Sequence, residues 1–362
     1  MSERAEVHLL VPANKVDYLR PDLGSGVLVS SFRFSRFYRP LRQARECWEV
    51  TRRVRRLQPD VVHLQQGHHM FNLFLGRLRR YPLVVTIHEP TERPNHGPRR
   101  RPQPILDRGF RRAGRVIIHG EALRSAVAAR GVDPSVVHVI PRPAPRGGEV
   151  AAEEEFPTIL FFGRIWPYKG LEYLIEAEPL VAAAVPGLKT VIAGEGEGMT
   201  RYRKLMGHPE RFEVRNHFVS RELRDELFAK ASVVVLPYVD ASTSAVVPVA
   251  YLHGKPIVVT SAGGLTEDVD AGRTGLVVPP RDHRALAAAL IRILRDEHLR
   301  HELGRAGRRK LEQEFAPDLI ARRTLEVYAL AQNGSVARSG LRDVRVSRSR
   351  AKRGLQHDLS AS

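Results

Sequence analysis

At 362 residues with 43% apolar side chains, the chain is long enough for two ordinary domains. It is too apolar for disorder or a collagen-like repeat through most of its length. A net charge of +18 favours anionic partners without choosing among nucleotide phosphates, nucleic acid and an anionic membrane, and the single cysteine, Cys47, excludes an internal disulfide.

No apolar run approaches the roughly 20 residues of a membrane-spanning helix. The start MSERAEVHLLVP also lacks the basic lead, long apolar run and cleavage site of a secretory signal, so a cytoplasmic location is expected. Much of the charge is local. Residues 76–115 hold eleven arginines against three acidic residues, and residues 331–362 hold seven Lys or Arg against two Asp.

In chain order, residues 7–11 and 27–32 read as strands, with Gly24 and Gly26 in the polar stretch between them. Pro40 opens a helix over 41–57 that contains Cys47, whose expected role is packing. Strands VVHL (61–64), LVVTIH (83–88), RVIIHG (115–120) and VVHVIP (136–141) follow. The proline- and arginine-rich segment around 89–104 is no core element. Short apolar runs separated by helices predict a parallel sheet covered on both faces. Composition then breaks at 141–156, PRPAPRGGEVAAEEEF, which reads as a linker. Alternation restarts with strands at 158–163, 190–194, 232–237, 256–260 and 276–279, and helices over 282–295, 296–313 and 317–330. The expected organisation is therefore a first α/β domain over 1–150 and a second over 151–315. Residues 316–331 and a basic, disordered tail over 332–362 complete it. A cleft between two such units is the natural ligand site.

Residues at the carboxyl ends of strands carry the candidate chemistry. In Gly163-Arg164-Ile165-Trp166-Pro167-Tyr168-Lys169-Gly170, Gly163 allows close approach of the backbone and Arg164 offers a fork of donors. Lys169 adds a second cation near a helix start, an arrangement suited to a diphosphate. The other reading is two surface cations beside a turn glycine. Gly194, Gly196 and Gly198 form a close-approach loop after the next strand. Ser242, Thr243 and Ser244 precede a helix, where they suit either phosphate binding or simple N-capping. Gly263 and Gly264, ahead of Glu267, would let a sugar or nucleotide lie against main chain. His88, and likewise His119 with Gly120, ends a strand of the first half and suits a sugar hydroxyl. Neither a nucleophile elbow nor a diagnostic metal-ligand set occurs.

Taken together, FFGRIWPYKGLEYLIEA, VIAGEGE, ASVVVLPYVDAS, GKPIVVTSAGGLTE and AGRTGLVVPP resemble, in order, the retaining nucleotide-sugar glycosyltransferases of glycosyltransferase family 4. The likeness runs over about 58–330 and is sharpest between 158 and 280. It implies a GT-B fold: two Rossmann-like α/β domains facing each other across a cleft, the first on the acceptor side and the second on the donor side. FAPDLIARRTLEVYAL is similar to the family's closing helix, which returns to the first domain.

By that resemblance Arg164 and Lys169 bind the donor diphosphate and neutralise the leaving group, while Gly163, Gly194 and Gly196 belong to the donor loops. Gly263, Gly264 and Leu265 line the sugar or diphosphate pocket, and His88 meets the transferred sugar. A UDP- or GDP-sugar is the implied donor, with no cofactor and no metal. The family's two glutamates, separated by seven intervening residues, are replaced by Ala241 and Val249. Ser242, Thr243 and Ser244 are then expected to hold the donor, with Glu267 a candidate for the ribose. The acceptor surface is expected at 92–104 with its surrounding arginines, compatible with peripheral contact with an anionic membrane. Rival readings are a nucleotide-sugar 2-epimerase and a catalytically silent nucleotide-sugar or polyanion binder. Nucleic acid is not favoured, because no finger, RNP-type or phosphate-loop pattern occurs.

Overall fold

The computed structural model describes residues 5–20, 23–24, 26–33, 39–66, 69–90, 103–145 and 153–334. Most of the expected 92–104 acceptor segment, residues 146–152 of the linker and the tail beyond 334 lie outside the described residues.

Three parallel sheets carry the molecule. Strands β1 (Val7–Pro12) and β2 (Val27–Phe32) pair with each other over six positions. Rather than joining a single first-half sheet, as the apolar runs suggest, they form a ladder of their own. Both are mostly half-buried or exposed, as fits a marginal ribbon, and Leu10 leans on the core beneath the helix Pro40–Leu57. Strands β3 (Val62–Gln65), β4 (Leu83–Ile87), β5 (Arg115–Ile118) and β6 (Val137–Val139) form the four-stranded first sheet in sequential order.

The second sheet has the order β12-β11-β10-β7-β8-β9. Its strands are β7 (Thr158–Phe162), β8 (Lys189–Ala193), β9 (Phe212–Arg215), β10 (Val233–Leu236), β11 (Ile257–Thr260) and β12 (Gly275–Val278). Strand β9, FEVR, is absent from the sequence reading. It is an edge strand of four half-buried residues, two of them charged, so it carries no apolar run to announce it. The helical stretch His69–Leu78 is likewise additional.

The strict alternation of a strand's side chains builds both faces of each sheet. Ile159, Phe161, Val233 and Val235 pack on one side of the second sheet, and Leu160, Val234 and Leu236 on the other. In the first sheet Val85, Ile87, Val116 and Ile118 face one cluster, while Val84 and Ile117 face another. The latter cluster is completed by Ile320, Val327 and Ala331 of the closing helix, residues 317–334. The chain's last described helix thus covers a face of its first sheet. Cys47 is fully buried among Val54, Val62, Phe71 and Leu75. Burial pushes its thiol up to about 12, with the neighbouring Glu46 adding to the shift, which leaves it inert near neutral pH.

Candidate functional site

All strands of both large sheets are parallel, so their carboxyl ends collect the loops where open α/β sheets bind ligands. Arg164 follows β7 and is exposed. It makes no hydrogen bond or ion pair with another described residue. Lys169 closes a single turn, Pro167–Lys169, with its Nζ 3.6 Å from the ring centroid of the fully buried Tyr238. Gly170 is left-handed at φ 62°, and a Cβ there would lie 2.0 Å from the Pro237 carbonyl oxygen, so the Arg164–Lys169 loop is held tightly against the end of β10.

The other expected glycines make their close approaches to protein main chain. A Cβ on Gly194 would meet the Gly163 carbonyl oxygen at 2.0 Å, and one on Gly196 the Ile165 carbonyl oxygen at 2.1 Å. The Ile165 N–H donates to the Glu195 carbonyl, and the Glu197 N–H to the Ile165 carbonyl, which locks these two loops together. In the same way Gly263 and Gly264 lie against Ala241 and Ser242, with the Gly264 N–H donating to the Ser242 carbonyl. The side chain of Leu265 is fully buried.

The three hydroxyls divide among three tasks. Ser242 donates to Glu89 Oε1 across the cleft at 3.0 Å, and Thr243 Oγ1 accepts from Arg142 Nε at 3.3 Å. Ser244, buried, accepts the Val246 N–H at the start of the next helix. Ala241 and Val249 are buried and apolar. Glu267 is likewise engaged: its two oxygens accept the N–H groups of Glu121 and Ala122, each at 2.6 Å. Its carboxylate therefore caps the first turn after β5 and ties the two halves together.

Sequence reading missed Glu89, Arg142 and Asp268. Burial pulls the Arg142 guanidinium down, opposed by Glu89 and Asp268. Burial pushes Asp268 up to about 7, helped by Glu267 and opposed by Lys310 and Arg142. A uniform rule finds two of the three: Glu89 and Arg142 sit two or three residues past the ends of β4 and β6. Asp268 has no such signature, since only tertiary packing buries it.

His88 follows β4, and the Gln66 side chain fixes its backbone. Gln66 Oε1 accepts from the N–H groups of His88 and Glu89 at 2.6 and 3.0 Å. The His88 ring is engaged at both nitrogens, Nε2 with Gln65 at 2.9 Å and Nδ1 with His119 Nε2 at 2.9 Å. Burial, with His119, Arg142 and His63 adding, holds His88 down to about 3. Burial and Arg142 hold His119 down to about 4, against the bond to the Ile140 carbonyl. Both rings are neutral at neutral pH. Among the described residues no group of three or more His, Cys, Asp or Glu is placed to hold a metal ion, and no helix is long and apolar enough to cross a membrane.

Residues 1–145 match the family model described as Glycosyltransferase Family 4, and residues 156–296 the model described as Glycosyl transferases group 1. An uncharacterized glycosyltransferase of Methanocaldococcus jannaschii is 31% identical over 187 residues, 50% of this chain and 47% of that protein. The glycogen synthase of Mycobacterium tuberculosis is 33% identical over 181 residues, 49% of this chain and 43% of the relative. The chain spans about half the length of these curated relatives. Among solved structures, Anabaena HepE in complex with UDP and glucose superposes with TM-score 0.69 at 20% identity, covering 91% of this chain and 92% of that one. Sucrose-phosphate synthase from Thermosynechococcus elongatus gives 0.70 at 18% identity, covering 90% and 88%. The fold is therefore GT-B, two Rossmann-like α/β units.

Proposed function

We propose that this chain, a GT-B protein of the glycosyltransferase family 4 type by its fold and by both matched halves, moves a sugar from a nucleoside-diphosphate sugar to a hydroxyl acceptor with retention of configuration. The carrying observation is the exposed guanidinium of Arg164, without a partner among the described residues, on the same short loop as Lys169 at the end of β7. Two cations so placed suit a diphosphate leaving group. In the step, the bond from the anomeric carbon to the diphosphate oxygen breaks and a bond to the acceptor oxygen forms on the same face. The acceptor proton passes to the departing phosphate, whose growing charge Arg164 and Lys169 neutralise without a metal. HepE, solved with UDP and with UDP-glucose, supports a uridine donor, and a GDP-sugar fits the same reading.

Residues 151–315 hold the donor in this reading, on Gly163, Arg164, Lys169, Gly194, Gly196, Ser242, Thr243, Ser244 and the Gly263–Leu265 turn. Residues 1–150 hold the acceptor, with His88 at the sugar. Glu267 serves mainly as the bridge to the first half, since both its oxygens are taken. Calorimetry with UDP and GDP tests the donor site. Arg164→Ala and Lys169→Ala should each weaken nucleotide binding by roughly 2–5 kcal/mol. Arg338→Ala and Arg342→Ala, in the basic tail, should have small, salt-dependent effects. Equal losses at all four positions would replace the pocket by general charge attraction.

A cytoplasmic location with peripheral contact with an anionic membrane belongs to the same reading. The helix Pro40–Leu57 buries Gln43, Cys47, Thr51 and Val54, so its opposite stripe carries Leu41, Arg45, Trp48, Glu49 and Arg52, with Arg45 paired to Glu49 at 3.1 Å. Leu41 is 87% and Trp48 45% exposed, and the Arg52 guanidinium lies 5.5 Å from the Trp48 ring centroid. An apolar and aromatic stripe interleaved with arginines fits a lipid headgroup layer. The protein should sediment with phosphatidylglycerol vesicles and not with phosphatidylcholine vesicles. Trp48→Asp should abolish the difference, and equal sedimentation with both would remove membrane contact.

A further inference from the structure

A continuous hydrogen-bonded chain runs through the first half behind His88. Tyr328, on the closing helix, lies with its hydroxyl 2.7 Å from His63 Nδ1, and His63 Nε2 lies 2.7 Å from Thr86 Oγ1. Gln65 Oε1 lies 2.9 Å from His88 Nε2, and Gln65 Nε2 lies 3.4 Å from His63 Nε2. The His88 and His119 rings, centroids 4.9 Å apart, meet at 2.9 Å through Nδ1 and Nε2. His119 Nδ1 ends the chain 2.9 Å from the Ile140 carbonyl oxygen.

The protons on this chain follow from valence. A carbonyl oxygen only accepts, so His119 Nδ1 carries a hydrogen, and in a neutral ring its Nε2 must then accept. His88 Nδ1 therefore donates to His119, which leaves His88 Nε2 as an acceptor. An acceptor there requires the NH2 of Gln65 to face it, so the amide is assigned a half-turn from the placement with Oε1 toward His88, its oxygen and nitrogen exchanging places. The Gln65 oxygen then faces His63 Nε2, whose single hydrogen goes to Thr86 Oγ1 with the Gln65 oxygen as a more distant second acceptor, while His63 Nδ1 accepts from the Tyr328 hydroxyl. Every ring is then neutral, and each ring nitrogen has a partner of the matching sense. Among the described residues, the ionisable groups bearing on the three rings are one another, Tyr328 from the closing helix and Arg142 past β6. Glu89, next to His88 in the chain, acts on Arg142 and accepts from Ser242.

We propose that Gln65 and His119, backed by His63 and Tyr328, are positioning residues that fix His88 as a neutral ring protonated at Nδ1, able only to accept a hydrogen bond at Nε2. When Gln65 turns aside, that nitrogen receives the hydroxyl hydrogen of a bound sugar, and the site adds no positive charge beside the diphosphate cations. The use made of the ring rests on the transfer reading, whereas its tautomer does not. Arg142 disfavours protonation of both His88 and His119, in line with the same assignment.

Nitrogen-15 NMR of the histidine-labelled full chain, without nucleotide, separates the two. Between pH 6 and 8, His88 and His119 should show Nδ1–H with an unprotonated Nε2, and His63 the reverse. Gln65→Glu places a carboxylate on His88 Nε2 and should raise its titration midpoint by about 2 pH units or more. His119→Ala should free the His88 tautomer, and His119→Gln, which restores an acceptor, should return it. Tyr328→Phe, a change too small to threaten folding, should alter His63 alone. A cationic His88 at pH 6, an Nε2–H tautomer, or a Gln65→Glu midpoint equal to wild type would each overturn the assignment. Failure of the chain to bind UDP or GDP would instead count against the transfer reading and leave these signals unchanged.

Discussion

Along the second half's edge of the cleft main chain lies against main chain, whereas along the first half's edge side chains hold one another. The loops 163–165 and 194–197, and the loops 241–242 and 263–264, approach so closely that a single added methyl would overlap a carbonyl. Across from them, Gln65, Gln66, His88, Glu89, His119 and Arg142 are placed by hydrogen bonds whose sense depends on protonation. The first kind of wall is sensitive to volume and the second to pH. Each half should therefore break under a different perturbation.

The largest expected effect is acid sensitivity of the first half. His63, His88 and His119 are held down to between about 3 and 4, so their neutral burial contributes stability that is complete above pH 6.5 and is lost as pH falls. Asp268, held up to about 7, acts in the opposite sense. Between pH 4.5 and 6 the unfolded chain binds three ring protons that the folded one refuses, and releases one that Asp268 keeps. Stability should then fall by on the order of 2–3 kcal/mol per pH unit of acidification. Urea midpoints measured across that range check this, and a flat profile would contradict neutral rings.

Volume tests the other wall. Gly196→Ala puts a Cβ 2.1 Å from the Ile165 carbonyl oxygen, whereas a Cβ on Gly198, two residues on, meets nothing within 4 Å. The first should cost about 3 kcal/mol and the second less than about 0.5 kcal/mol in the same denaturation assay. Similar costs at both would show that the loops are not locked.

Asp268 sharpens the comparison, because it brings a titrating group to the backbone-built side. Its raised pKa means that its favourable contribution is complete below the ordinary carboxylate range and is lost as pH rises through about 7. Asp268→Asn should gain stability over wild type by on the order of 2–3 kcal/mol between pH 5 and pH 8, and be close to neutral only below the ordinary carboxylate range. A variant less stable than wild type at pH 8 would mean that the ionised form is the one the fold needs. The smallest effect belongs to the bridge between the halves: Glu267→Gln keeps one acceptor for the turn at 121–122 and should cost about 1 kcal/mol. Increased hydrogen exchange confined to the Glu121 and Ala122 amides is the expected signature, and unchanged exchange there would deny the bridge.

The fold was legible because buried parallel strands are near-continuous apolar runs, as in VVVL and IVVT. The second-half loops were legible for a related reason: Gly196, Gly263 and Gly264 occupy places where only glycine fits. What those glycines approach was not legible, since the string GEGEG is the same whether a ligand or Ile165 lies opposite. FEVR escaped because an edge strand can alternate charged and apolar residues without a buried run. His88 was visible as a strand-end histidine, but its partners His63, His119 and Tyr328 lie 25, 31 and 240 positions away in the chain.

The sequence by itself determined the buried strands and most of the helices between them, the glycine positions and the cations of the Arg164–Lys169 loop, because each is set by local periodicity or local backbone geometry. Tertiary structure alone decided which atoms are already spoken for: the Glu267 oxygens by the turn after β5, both His88 nitrogens by Gln65 and His119, and the Asp268 carboxyl by burial. Those outcomes depend on contacts between residues far apart in the chain and on exclusion of water. Neither leaves a mark in composition or spacing.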